Sequence, residues 1–460
     1  MKKFDLNIEQ ILDNWDIYHA IRELISNAID EQVLTNTKKI KLYKDDKNFW
    51  HIRDYGRGIK YDHLTQNENE EKMEHPNLIG KFGVGLKDAL ATLYRNNVNV
   101  SINSKHSDIE IELSSKSGFD DIVTLHAVIN SPSKPEIVGT DIILENCADE
   151  QMDKAKALFL IFSGELLVGS TEYGTIHEKN KESSNIYING VKVAEEENFL
   201  FSYNITSLTQ SIKKALNRER TNVGRSAYTD RIKSILLKTE EDGIAEKLIV
   251  DLEELERGYG HEEISWIDVT THACKLLSSK DKVVFFTPEE LKDSPVMVDR
   301  AKDDGYRVIT VNQKIKNKLK GAEDYSGNKL LDLETFREKW NDSFEFNFID
   351  LSQLTVSEQR IYDSYENILH IIGDMAPKIN KILISETMRV DTGSNQEAVG
   401  LWESNTRRII IKRDQLNNLE SFAGTFLHEC AHAISGAPDV SLDFESCLTE
   451  LLGKVVIPML

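Results

Sequence analysis

The chain has 460 residues, too many for one ordinary core, so two to four domains are expected. Hydrophobic residues at 40%, charged residues at 29% and only 8 prolines exclude a disordered or fibrous chain. A formal net charge of −21 disfavours sequence-independent binding to nucleic acid, which needs a basic surface, and no run is apolar enough to cross a bilayer.

The N-terminus, MKKFDLNIEQILDNWD, carries acids where a signal peptide would need an apolar stretch, so a cytoplasmic chain without a membrane partner is expected. Cys147, Cys274, Cys430 and Cys447 lie far apart with no CxxC pair, which argues against a disulfide framework and a cysteine zinc knuckle. Apolar residues at helical spacing from Ile11 to Ile29 predict a long helix over about 8–34. Residues 38–46 and 48–56 alternate as a strand pair, and the polar, aperiodic residues 61–76 read as a loop. A glycine-rich segment then leads into a helix, and strands follow at VNVSIN, DIEIEL, DIVTLHAVI and GTDIILE. A helix first and a mixed sheet after it make residues 1–145 an α+β sandwich.

Three short motifs fall in this stretch. Glu23, Asn27 and Asp30 stand at i, i+4 and i+7, so one helix face presents all three. Asp54, Gly56 and Gly58 follow, then Gly80-Lys81-Phe82-Gly83-Val84-Gly85. Glycines remove side chains where a backbone must approach phosphates, and their N–H groups donate to the oxygens. The order and wording, ELISNA then DYGRG then GKFGVG, resemble the N, G1 and G2 boxes of Hsp90-like GHKL ATPases, the gyrase, Hsp90, histidine-kinase and MutL group. Gly139-Thr140 is similar to their later GT element. The resemblance covers residues 10–145 and implies a Bergerat-type sandwich that binds ATP. It implies that Glu23 orients the attacking water, Asn27 holds Mg²⁺, Asp54 accepts from the adenine amino group and Thr140 supports that contact. Asp30 and the two glycine motifs complete the nucleotide surroundings. The lid between Gly58 and Gly80 is short, so closure calls on another domain or a second subunit, and the resemblance implies a homodimer.

Residues 146–238 form a second expected unit, with a strand at NIYINGVKV and helices near 208–216 and 226–237. Leu216-Asn217-Arg218-Glu219-Arg220 resembles the loop of the GHKL second, transducer-like domain that sends a cation to the γ-phosphate. Either Arg218 or Arg220 would do this, because a guanidinium is always charged and offers paired donors. Within 239–345, the run from Lys282 to Asn312 reads as strand, helix, strand, a small parallel α/β unit, and residues 321–341 read as a linker.

The last expected unit, 346–460, has a helix over 356–372, strands at KILISE, AVGLWES and RRIIIKRDQ, the helix SFAGTFLHECAHAIS and a final helix from Ser441. His428-Glu429-Cys430-Ala431-His432 places two imidazoles at i and i+4, where they meet one metal ion, with Glu429 beside them to take a proton from an activated water. Ala423, Phe426, Leu427 and Ile434 give the opposite face of the helix an apolar character. Order and motif over about 350–460 resemble the catalytic half of zincin metallopeptidases, which implies a zincin-like α+β domain holding Zn²⁺. Glu445, one turn inside a helix capped at Ser441, stands level with the histidines in the gluzincin pattern. Asp439 and Asp443 are alternative third ligands, and Glu450 lies more than a turn deeper.

Together these features predict an α+β multidomain protein using ATP, Mg²⁺ and Zn²⁺, in which nucleotide state regulates an endopeptidase acting on a protein or peptide. Such a latent protease would suit a bacterial stress or antiviral setting. The rival expectation is an Hsp90- or MORC-like chaperone or conformational-switch ATPase whose C-terminal domain only binds a partner.

Overall fold

The computed structural model describes residues 2–6, 15–65, 78–79, 85–216, 223–255, 258–391 and 396–457. Helices and strands occur in both of two units, Met1–Cys274 and Lys275–Leu460, giving a mixed α+β chain. The division falls inside the stretch 239–345. Among the described residues no helix is long and apolar enough to cross a membrane.

In the first unit, helix α1 (Ile17–Thr35) begins behind Asp16, which forms a capping box with His19, and it ends at Asn36 in a left-handed conformation. Residues 7–14, expected in its first turns, lie outside the described residues. Ala20, Ile21, Leu24 and Ile25 are wholly enclosed in the core, and burying each of the larger ones contributes about 1.5–3 kcal/mol. They pack over a seven-stranded sheet of β1 (Lys2–Asp5), β2 (Lys41–Lys44), β3 (Trp50–Arg53), β4 (Asn99–Ser104), β5 (Asp108–Lys116), β6 (Phe119–Asn130) and β7 (Thr140–Glu145), in the order β1-β6-β5-β4-β7-β3-β2. Helices α2 (Gly85–Arg95) and α3 (Asp149–Lys156) pack against α1 in the same core. Every neighbouring pair is antiparallel, where a mixed sheet was expected. The reason is local: β4, β5 and β6 follow one another through short turns that cannot make a parallel crossover.

A five-stranded sheet follows, with β8 (Leu166–Thr171), β9 (Gly174–Glu178), β10 (Ser184–Ile188), β11 (Val191–Glu196) and β12 (Phe201–Ile205) in the order β11-β10-β12-β9-β8. The segment NIYINGVKV is two strands rather than one. Asn189 and Gly190 both have positive φ, 48° and 80°, and make the two-residue turn between β10 and β11. A short helix, Gln210–Ala215, comes next, and helices α4 (Arg225–Leu236) and α5 (Asp242–Leu255) follow it.

The second unit opens with β13 (Val283–Phe286) and β14 (Arg307–Thr310), a parallel pair joined through α6 (Pro295–Asp303). Residues 321–341, expected as a linker, contain most of helix α7 (Leu333–Ser343). Asp332 caps that helix through the Thr335 N–H at 2.9 Å, and Leu333 and Phe336 pack with Val284, Phe286 and Met297. The helix expected over 356–372 is broken into α8 (Val356–Tyr362) and α9 (Ser364–Ile372), where the Ser364 hydroxyl donates to the Ile361 carbonyl. A four-stranded sheet then orders β15 (Phe348–Ile349), β16 (Lys381–Ser385), β17 (Gly400–Glu403) and β18 (Arg408–Lys412) as β15-β16-β18-β17. β16 and β18 are parallel, and β17 is an antiparallel edge. Helix α10 (Leu419–Ser435) packs on β17 and β18, and α11 (Leu442–Val456) packs on α10.

Arg413, just beyond β18, ties α8 to this sheet. Its Nε lies 2.8 Å from Glu358 Oε1 and its Nη1 2.7 Å from Glu386 Oε1. The guanidinium holds the Glu358 carboxyl down at about 2, below its usual 4.5. A carboxylate with a depressed folded pKa stabilises above its unfolded pKa, and that stabilisation is lost as pH falls through the folded value. Arg413→Met should therefore lower the melting temperature by a few degrees at neutral pH, with the difference from wild type shrinking below about pH 4.5 and vanishing near about pH 2. Circular-dichroism melts across that range check it.

Candidate functional site

The motif helix α10 is capped by Asn418, which accepts from the Ser421 N–H at 2.8 Å, and it stops at Gly436 in a left-handed conformation. Its buried face is Phe422, Phe426, Leu427, Cys430 and Ala431. Ile434, expected on that face, is exposed, and Ala423 is half-buried. The two histidines lie one turn apart with Nε2 atoms 3.2 Å from each other. The loop after Gly436 folds back, and Asp439 Oδ1 comes within 3.1 Å of His428 Nε2 and 3.3 Å of His432 Nε2.

Three acceptor-capable atoms thus form a nearly equilateral triangle. The Ala437 carbonyl lies 2.9 Å from His432 Nδ1. A carbonyl can only accept, so Nδ1 carries the proton and the Nε2 lone pair faces the triangle. Burial lowers the pKa of His428, opposed by the Asp439 charge, which favours a neutral ring with a lone pair to give. A proton on His428 Nε2 can donate to Asp439 Oδ1, and with that proton displaced all three atoms offer lone pairs to one cation. A tetrahedral zinc with bonds of about 2.0–2.1 Å holds its ligand atoms about 3.3–3.4 Å apart, close to the triangle's three sides. The donor set therefore fits zinc, and the solvent-facing side of Asp439 leaves a fourth position open.

Glu445 does not join the triangle. Phe444 is the residue that α11 turns toward the histidines: its ring lies 4.4 Å from that of His432 and 4.9 Å from that of His428. Phe444, Cys447 and Leu451 form the buried stripe of α11, which rotates Glu445 into solvent one position away. Asp443 and Glu450 are exposed on the same helix. Asp439, an alternative in the sequence, is the third donor that the fold brings in.

Glu429 lies against Gly400 of edge strand β17, within electrostatic reach of Asp439, and is only 5% exposed. It accepts a hydrogen bond from the Trp402 backbone N–H, and burial, reinforced by the Asp439 charge, pushes its carboxyl up to about 8. A Cβ on Gly400 would stand 2.6 Å from both Glu429 Oε1 and Thr425 Cγ2, so only glycine lets β17 lie this close. Sequence reasoning missed Gly400 and Trp402, because nothing in AVGLWES marks which strand residue meets the motif helix.

In the first unit, Asp54 is buried and accepts from the Gly56 N–H at 2.9 Å and from the Thr140 hydroxyl. Burial raises its pKa against these donors. Thr140 in turn accepts from the Ile59 N–H at 3.1 Å, and the Gly139 backbone lies directly against Asp54 and Gly58. Glu23 and Asn27 are partly exposed on α1. The Glu23 carboxylate is held 2.8 Å from Nη2 of the buried Arg22 and faces Gly85 at the start of α2. Asp30 is fully enclosed and accepts from the Ile79 N–H at 2.7 Å, so it anchors the chain just before the second glycine motif. Glu31, not singled out in the sequence, grips Arg57 through Nε and Nη2 at 3.0 Å each and ties the Asp54–Gly58 turn to α1. Gly80, Lys81, Phe82, Gly83, Val84, Arg218 and Arg220 lie outside the described residues.

Residues 150–242 match the family described as the Mycoplasma pneumoniae MPN635 N-terminal domain. An uncharacterized protein of Mycoplasma pneumoniae is 42% identical over 241 residues, which span 51% of this chain and 97% of that protein. The chain belongs to the family of that protein. A second uncharacterized protein of Mycoplasma pneumoniae is 25% identical over 341 residues, 68% of this chain and 94% of its own length. The matched domain contains the five-stranded sheet and α4, and both residue groups described above lie outside it.

Proposed function

We propose that the chain is a nucleotide-regulated zinc endopeptidase: a GHKL-type ATPase site in the first unit coupled to a zincin-type site in the second. The observation that carries the reading is the 3.1–3.3 Å triangle of His428 Nε2, His432 Nε2 and Asp439 Oδ1 with buried Glu429 next to it. Bound there, Zn²⁺ would supply Lewis acidity toward a peptide carbonyl. The protein's own groups do the rest. His432 is oriented by the Ala437 carbonyl, and Phe444 packs both rings in place. In its ionised form Glu429 accepts the proton that an attacking water loses and returns it to the departing amine. The outward edge of β17 beside it gives an extended peptide backbone a strand to pair with.

For the nucleotide half, support comes from the Asp54–Thr140 pair, an acceptor able to face an exocyclic amine, and from Glu23, fixed by Arg22 and able to orient a water. Asn27 offers a neutral oxygen to Mg²⁺. Peptide hydrolysis needs no ATP, so nucleotide acts by stabilising one conformation or a homodimer in which the peptidase is active.

Adding ATP and Mg²⁺ to the zinc-loaded full chain should change its rate of casein cleavage several-fold. No cleavage with or without ATP, by protein that holds zinc, would refute the reading. The metal ligands can be told apart as well. Asp439→Ala should weaken zinc binding by more than the roughly 10–100-fold that losing a group behind a ligand costs, whereas Glu445→Ala should leave it within about twofold. Competition titration with a chromophoric chelator reads both, and the reverse order would restore Glu445 as the ligand.

A further inference from the structure

Between β16 and β17 two antiparallel arms, residues 389–391 and 396–398, pair with each other. Ala398 N–H donates to the Arg389 carbonyl at 2.9 Å, and Val390 bridges Glu397. Both arms are gripped by the small unit built on β13 and β14. On the first arm, Val390 is 2% exposed in a core with Val284, Phe286 and Phe336. Asn341 of α7 closes both of its backbone hydrogen bonds, donating to the carbonyl at 3.0 Å and accepting from the N–H at 3.1 Å. On the second arm, Glu397 pairs with Arg300 of α6 and, at 2.6 Å, with Lys412 of β18. Arg300 is itself seated 4.0 Å over the ring of Trp340. Three residues beyond Glu397 lies Gly400, pressed against Glu429, and then Trp402, whose N–H holds the Glu429 carboxyl.

We propose that Asn341, Arg300 and Glu397 are positioning residues for the peptidase, setting the place of β17 and, through Gly400 and the Trp402 amide, of the Glu429 carboxylate. The small α/β unit is then part of the catalytic apparatus. An amide that satisfies both polar groups of one enclosed residue fixes that residue's backbone in two directions, and a shared carboxylate between Arg300 and Lys412 locks the second arm to the sheet. The strand that continues from the second arm inherits its position. This assignment rests on the peptidase reading for its catalytic consequence, but the mechanical coupling can be read without it.

The test compares wild type, Asn341→Ala, Arg300→Met, Arg300→Lys and Glu397→Gln as full chains loaded with zinc. Hydrogen exchange should speed up at amides 399–403 in the Ala, Met and Gln variants. Zinc content should stay at the wild-type level, and kcat for peptide cleavage should fall about 10–100-fold with a smaller change in KM. Arg300→Lys should recover most of both. Glu397→Gln, the least disruptive, keeps the test available if Asn341→Ala does not fold. Unchanged exchange at 399–403 in folded variants overturns the proposal. Faster exchange there, with no cleavage by zinc-loaded wild type, would uphold the coupling and sink the peptidase reading alone.

Discussion

Glu429→Gln should reduce peptide cleavage about 10²–10⁴-fold while zinc stays bound, the range set by losing a positioned general base. The substitution keeps the shape of a side chain that is 5% exposed and packed against Gly400, so the strand has no reason to move. It does not touch His428, His432 or Asp439, whose donor atoms form the triangle. Burial works against the charge of Glu429 and pushes its carboxyl up to about 8, so a neutral amide should not lower the melting temperature. Steady-state cleavage, elemental zinc and a thermal melt on one preparation check all three points. A variant as active as wild type would remove Glu429 from the reaction.

ATP turnover should fall about 10²–10³-fold in Glu23→Ala, with nucleotide affinity changed far less. Glu23, on α1, is partly exposed opposite the start of α2, and its carboxylate is fixed by Arg22, which is only 1% exposed. That geometry suits a group that aims a water rather than one that binds the base. The alanine takes one carboxylate partner from the buried Arg22, so Glu23→Gln serves as a second variant that retains a hydrogen-bond acceptor. Phosphate release measured beside equilibrium binding of a fluorescent nucleotide separates the two effects. Unchanged turnover would contradict the role given to Glu23.

Much of this was legible from residue spacing. The i, i+4 and i+7 pattern of Glu23, Asn27 and Asp30 places them along one side of α1, and HExxH places both histidines on one turn of α10. Burial was harder to read: Asp30 is spent on the Ile79 amide although it shares a helix with Glu23. Helix phase alone did not decide which acid joins the two histidines, and Asp439 stood there only as an alternative to Glu445. Counting turns from Ser441 brings both Phe444 and Glu445 level with the histidines, and only the packing of Phe444, Cys447 and Leu451 decides which one faces them. A loop residue such as Asp439 has no period to betray it.

The strands that escaped notice have physical reasons too. β8 carries Leu166 and Leu167 side by side, both exposed, and the register shifts between Leu167 and Gly169, so no alternation survives. Helix α7 hid in an acidic stretch because only Leu333, Phe336 and Arg337 are buried along its 11 residues. The grip of the α/β unit on the paired arms before β17 joins Asn341 to Val390, 49 positions away, a pairing that no local pattern encodes.

Elemental analysis of the purified full chain, dialysed after zinc reconstitution, tests the central claim most directly. About one zinc per chain in wild type, absent in His428→Ala of equal thermal stability, is the predicted result. A folded wild-type chain that retains no zinc, or a His428→Ala variant that retains as much as wild type, would contradict it.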